Sequence, residues 1–181
     1  MKLKLKCRLS YNNLFRAEDY KGDENFAYNA KFLIEKGSEA DKQVQAAIKE
    51  LAQEKWKDKA ASTLKSISGS KLTCCYQDGD VDGLDEYMVL SSKRYEKKGR
   101  PDIRDRDATP LSERDGKPYS GCYVIGIVEM WLQDGGNGKG VRCELLGVQF
   151  VKDGPAFSKS SKATDDDFED LGVEEEDEMF S

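Results

Sequence analysis

Cys122-Tyr-Val-Ile-Gly-Ile-Val-Glu-Met-Trp-Leu132, then Gln133-Asp-Gly-Gly-Asn-Gly-Lys-Gly140, then Val141-Arg-Cys-Glu-Leu-Leu-Gly-Val-Gln-Phe-Val151 is the stretch that decides the fold. Two runs rich in β-branched and aromatic residues flank a connection of glycine, asparagine and aspartate, so the stretch reads as a β-hairpin with a flexible tip. Toward the N-terminus, Tyr87 to Tyr95 reads as another strand. Phe26, Tyr28, Ala30, Phe32 and Ile34 alternate with other residues and give a further one, after a turn-rich segment from Asp19 to Asn25. In the first strand Leu3, Leu5, Cys7 and Leu9 alternate with Lys2, Lys4, Lys6 and Arg8, which gives one buried face and one wholly cationic face. Between Ser38 and Lys59 the period changes. Val44, Ala47, Ile48, Leu51, Ala52 and Trp56 recur at three- and four-residue spacing, which predicts an amphipathic helix with Ser38 as its N-cap. Strands that do not alternate regularly with helices favour a mainly β chain, a five-stranded barrel with one interposed α-helix, over a βαβ sheet. Lys93 to Pro118 is read as one long polar loop, and loops of that length in a compact domain are usually functional or disordered.

A length of 181 residues predicts one domain with appendages. The domain is placed at residues 1–155, and a disordered acidic C-terminal tail at 156–181, because composition turns to serine, lysine and acid after Asp153-Gly154-Pro155. The net charge of −6 hides an asymmetry. Residues 163–181 carry ten carboxylates and no lysine or arginine, which leaves a net +4 on residues 1–162. The first ten residues lack the unbroken apolar run of a secretory signal, and no stretch has the length of a membrane span, so a soluble, intracellular protein with no membrane partner is expected. Cys7, Cys74, Cys75, Cys122 and Cys143 form an odd set without a CxxC pair, and histidine is absent. A disulfide framework and structural zinc are therefore poorly supported, and reduced thiols are expected. The missing histidine also removes the commonest general base, so no catalytic residue, cofactor or metal is assigned.

A basic body with aromatics suits a single nucleic-acid strand, because cations track phosphates and aromatic faces stack bases. The candidates are Lys4, Lys6 and Arg8 on the first strand, then Lys93, Arg94, Tyr95 and Arg104 in a region that also holds Lys97, Lys98, Arg100 and Arg106. Tyr11, Phe15, Tyr119, Tyr123 and Trp131 are candidate stacking residues, and Arg142 a further cation. Plainer readings stand beside these. Lysines on a strand also protect an edge from aggregation, and Asp102, Asp105 and Asp107 dilute the charge of the long loop. Phe26, Phe32 and Trp56 fit core positions better.

The chain resembles the OB-fold single-stranded DNA-binding proteins of tailed bacteriophages, long catalogued as a phage domain of unknown function. The matching features are Arg8-Leu9-Ser10-Tyr11 with Leu14-Phe15; Pro101-Asp102-Ile103; Tyr119-Ser120-Gly121-Cys122-Tyr123-Val124; Lys139-Gly140-Val141; Val148-Gln149; and Lys152-Asp153-Gly154. They run in the family's order over nearly the whole body. The resemblance implies an OB-fold that binds single-stranded DNA without sequence specificity during phage replication, recombination or repair, in the cytoplasm of the infected bacterial host. The tail's carboxylates imitate a polyanion and compete with DNA for the basic groove. Phe168, Asp177, Glu178 and Phe180 are its candidate contacts to phage or host replication and recombination proteins, with Leu171 and Met179 as further apolar anchors. A homodimer is kept open.

Three rival readings fit parts of the sequence. Asp78-Gly79-Asp80-Val81-Asp82-Gly83 matches the start of an EF-hand loop, yet Val89 stands where the bidentate glutamate belongs. Pro101-Asp102 with Asp115-Gly116-Lys117 resembles the PD…DxK pattern of a metal-dependent nuclease, but in a loop instead of adjacent strands. An interaction or DNA-mimic protein acting through the acidic tail is the third.

Overall fold

The computed structural model describes residues 1–19, 22, 24–155 and 165–172. Seven strands run β1 (Lys2–Glu18), β2 (Ala27–Glu35), β3 (Tyr76–Asp78), β4 (Tyr87–Tyr95), β5 (Asp102–Arg104), β6 (Tyr123–Gly135) and β7 (Gly138–Lys152). Two helices, α1 (Glu39–Trp56) and α2 (Ala60–Ile67), lie between β2 and β3 and are joined by a single 3-10 turn. The sheet order is β3-β4-β2-β1-β6-β7-β5, and a parallel pairing of Lys93 with Glu144 brings β4 onto β7. That contact closes β1, β2, β4, β6 and β7 into a five-stranded barrel, with β3 and β5 added along its seams.

The hairpin forms where its composition predicts, β6 pairing with β7 from Tyr123–Lys152 to Gly135–Gly138. The strand at Tyr87–Tyr95 and the helix capped by Ser38, whose side chain accepts from the Asp41 N–H, also match expectation. Two expectations need correction. β1 continues past Leu9 to Glu18, because a register shift between Leu9 and Asn12 changes which residues face inward. Leu9 and Leu14 are both buried, whereas strict alternation would place them on opposite faces. The long loop from Lys93 shrinks as well: its first three residues finish β4, and Asp102–Arg104 form β5 beside Gly147–Gln149 of β7.

Inward residues of the barrel strands, among them Leu5, Leu9, Phe32, Leu90, Val124, Val128, Met130 and Leu145, make one core. Gly126 admits the Phe32 ring, since a Cβ there would lie 3.0 Å from two of its ring carbons. Phe32 and Trp56 are buried as expected, but Phe26 is 43% exposed because it precedes the first paired residue of β2. Polar ties hold α1 in place. The buried Asp41 accepts from Tyr76 Oη (2.6 Å), the Gly37 N–H (2.8 Å) and Gln45 Nε2 (2.8 Å), and Trp56 Nε1 donates to Asp134 (2.7 Å). Among the described residues no helix is long and apolar enough to cross a membrane.

Candidate nucleic-acid interface

Side chains on a barrel strand alternate between core and outer face, so register decides which polar residues stand together. On β2 the outward positions are Asn29, Lys31 and Leu33, paired with Lys93, Ser91 and Val89 of β4. Asn13 of β1 pairs with Asn29, which joins the second half of β1 to the same face. Tyr11 lies two residues before Asn13 and is 46% exposed, and its hydroxyl accepts from Asn13 Nδ2 at 3.0 Å. Phe15 is two residues beyond, with the Arg100 guanidinium 5.7 Å from its ring centroid. Lys93 and Lys97 lie 4.8 and 5.7 Å from the Tyr95 ring. The face of β1, β2 and β4 therefore combines Tyr11, Phe15 and Tyr95 with Lys31, Lys93, Lys97 and Arg100. None of these four cations is ion-paired among the described residues.

A second face is built by the first half of β1 with β6 and β7. Lys4 pairs with Ile127, Lys6 with Ile125 and Arg8 with Tyr123, and Tyr123 pairs in turn with Lys152. Lys2, Lys4 and Lys6 are exposed, but the predicted cationic row ends there. Arg8 is only 9% exposed, with Nε donating to the Gly121 carbonyl (3.2 Å), a second nitrogen to the Pro155 carbonyl (2.5 Å) and a third to Tyr87 Oη (3.4 Å). Its guanidinium also lies 5.3 Å from the Tyr123 ring centroid, and Lys152 lies 4.9 Å from it. Tyr119 is nearby in the chain but tied down. Its hydroxyl donates to Asp153, a bond that raises its pKa, and its ring packs 6.3 Å from Phe150.

The remaining candidates are dispersed. Trp131 (47% exposed) pairs with Arg142 toward the hairpin tip, beyond the Lys2–Glu129 pair where β1 begins. Arg142 Nε is held by Gln133 (2.9 Å) and Nη1 by the Leu72 carbonyl (2.8 Å). Arg94 donates to the carbonyls of Gly99 and Lys98 and lies 3.6 Å from Glu144. Arg104 is paired with Asp102 at 3.0 Å, a contact that raises its pKa. Lys31, Asn13 and Asn29 were missed by sequence reasoning. For Lys31 and Asn29 the signal lies in the polar half of the β2 alternation, whereas Asn13 lies in β1 beyond the register shift, where strict alternation gives none.

Neither metal-centred rival assembles. Asp102 is engaged by Arg104, while Asp115 caps Ser112 through its N–H (2.7 Å) and hydroxyl (3.1 Å). In the EF-hand-like segment the Asp78 carboxylate binds Lys36 Nζ (2.8 Å) and then the Asp80 N–H (3.0 Å), which lower its pKa, and Val89 lies in β4. No cluster of metal-ligating side chains occurs among the described residues. Of the tail candidates, Phe168 is exposed, and Asp177, Glu178 and Phe180 lie outside the described residues.

A closed five-stranded barrel carrying an open aromatic and cationic face is the build of an OB-fold nucleic-acid-binding protein. Residues 1–180 match the family described as Enterobacter phage Enc34, ssDNA-binding protein, and the chain belongs to that family. This is a family of DNA-binding proteins and not of enzymes. A relative from Acyrthosiphon pisum secondary endosymbiont phage 1, described as putative protein p50, is 39% identical over 187 residues, covering 100% of both chains. The single-stranded DNA-binding protein of bacteriophage Enc34, solved in complex with ssDNA, superposes with a TM-score of 0.68 at 23% identity, over 87% of this chain and 88% of that one. Gp2.5, a single-stranded DNA-binding protein encoded by bacteriophage T7, gives 0.58 at 13% identity, over 90% and 98%. At these identities the structures show a shared fold.

Proposed function

We propose that the protein binds single-stranded DNA without sequence specificity, with the strand lying across the β1–β2–β4 face. The observation that carries this reading is the grouping of Tyr11, Phe15 and Tyr95 with Lys31, Lys93, Lys97 and Arg100, cations that no carboxylate neutralises among the described residues. Bases stack on the rings because every base has a π face, and phosphates follow the cations. The action is stoichiometric: the bound strand is withheld from pairing, and a single barrel suffices. We place this activity in phage DNA replication, recombination or repair, in the cytoplasm of the infected bacterium. Residues 156–181 act as an acidic tail that competes with DNA for the cationic surface and offers Phe168 and its neighbours to replication and recombination proteins.

The test is a salt-dependent titration of labelled single-stranded and duplex oligonucleotides, with the full chain and with a chain ending at Lys162. Preference for single strands, a steep loss of affinity with salt and tighter binding without the tail are expected. Absence of single-strand binding at low salt would overturn the reading. Unchanged affinity on tail removal would overturn the competitive role alone.

A further inference from the structure

The strand-binding reading uses one flank of the barrel and leaves the other unexplained. On that second flank β1 contributes Lys2, Lys4 and Lys6, all exposed and none ion-paired among the described residues, and β7 contributes Lys152 in the same condition. Beside the lysines, β6 presents Ile127, Ile125 and Tyr123 outward, in register with Lys4, Lys6 and Arg8. The surface is hollow. A groove of about 480 Å³ is lined by Lys6, Tyr87, Tyr123, Ile125, Val151 and Lys152, among others. Glu35 and Glu39 stand among its lining residues at the end of β2 and the start of α1.

Each feature has a counterpart in a nucleotide strand. Lysines without carboxylate partners among the described residues attract a polyanion, the Ile and Tyr side chains offer an apolar floor with a stacking ring, and carboxylates accept hydrogen bonds from base N–H groups. Arg8 supports the ring from its own side without being available as an open cation. The row Lys152–Tyr123–Arg8–Leu33–Val89 crosses from this flank to the β1–β2–β4 face, and Arg8 and Leu33 in its middle line the groove as well, so that its floor runs on toward that face. The two cationic surfaces are therefore adjoining stations along one path.

We propose that the Lys6–Tyr123–Lys152 groove, with Lys4 beside it on β1, is a second station for single-stranded DNA, reached by a strand that already occupies the β1–β2–β4 face. The inference rests on the strand-binding reading of that first face. A strand of about 6 nucleotides fills the first station, and one of about 20 reaches both, since one OB domain covers roughly 4–16 nucleotides. The experiment compares the full chain with a Lys4→Ala, Lys6→Ala, Lys152→Ala variant on oligothymidylates of those two lengths. Circular dichroism checks that the variant, altered only at exposed positions, remains folded. Short-strand affinity is expected to stay within about twofold, because its phosphates do not meet these lysines. Long-strand affinity should fall about tenfold, and its log–log salt slope should become shallower by about 2, at roughly 0.7 per phosphate contact. Equal loss on both lengths would overturn the two-station arrangement and make this groove the primary site, and no loss on the long strand would remove the groove from the DNA path. Failure of the unaltered chain to bind either length would instead sink the strand-binding reading itself.

Discussion

Lys2–Arg8 and Lys93–Arg106 are both dense in cations, four in the first and seven in the second, and the fold treats them in opposite ways. In the first segment Lys2, Lys4 and Lys6 project outward from one strand with no carboxylate partner among the described residues. In the second, Glu144 draws in Arg94 and Lys98, Asp102 holds Arg104, and Arg106 donates to the Val151 carbonyl at 2.9 Å. Only Lys93, Lys97 and Arg100 there face an aromatic ring without an ion-pair partner among the described residues. The difference lies chiefly in where the fold sets a carboxylate, since Lys98 is paired as Arg94 is while Arg100 has no acid beside it among the described residues, and residue chemistry adds to it. A guanidinium with five fixed donors is suited to binding several carbonyls and carboxylates at once, whereas an ammonium on a flexible stem stays hydrated at the surface. Density of charge along the chain is thus a poor guide to the field outside it. What counts is which cations the register leaves without an acid beside them.

The largest effect that would sharpen this contrast is at Tyr95, the ring that Lys93 and Lys97 face. Tyr95→Ala should weaken single-strand binding about five- to 150-fold, as one lost base–aromatic stack is worth about 1–3 kcal/mol. An affinity within twofold of the unaltered chain would remove Tyr95 from the interface. Arg8→Ala should act on stability instead. It leaves the Gly121 and Pro155 carbonyls without this donor and strips one cation from Tyr123, which should lower unfolding free energy by about 1–3 kcal/mol in a urea titration. Unchanged stability with a large loss of DNA affinity would mean that the buried guanidinium is a phosphate ligand after all. Lys93→Ala should make the salt dependence of binding shallower by about 0.7 in log–log slope, the contribution of one phosphate contact. Arg104→Ala should change affinity least, by under about twofold, because Asp102 already neutralises the guanidinium in an exposed pair of little energetic weight. A loss as large as that of Lys93→Ala would break the distinction between compensated and uncompensated cations.

Much of the barrel was legible in the residues because strand and helix periods are local. The alternation of Leu3, Leu5, Cys7 and Leu9, the glycine-rich connection at 133–140 and the Ser38 cap are each contained within a few consecutive positions. β5 was not legible: three residues, Asp102-Ile103-Arg104, carry too little pattern to stand out, and they become a strand only because β7 offers them a partner at Gly147–Gln149. The second half of β1 was hidden for another reason. A bulge after Leu9 changes the phase of the alternation, so a strict period-two reading loses the strand where it gains Tyr11 and Phe15 for the interface.

By itself the sequence determined that the chain is mainly β, that a basic body precedes an acidic terminal stretch, and that histidine-based chemistry is absent, because composition and short-range period require no knowledge of partners. Only the tertiary structure decided which cations are open to a ligand. That outcome depends on side chains far apart in the chain, Arg94 with Glu144 or Arg8 with Gly121 and Pro155, brought within hydrogen-bond reach by closure of β4 onto β7 and by the pairing of β1 with β6.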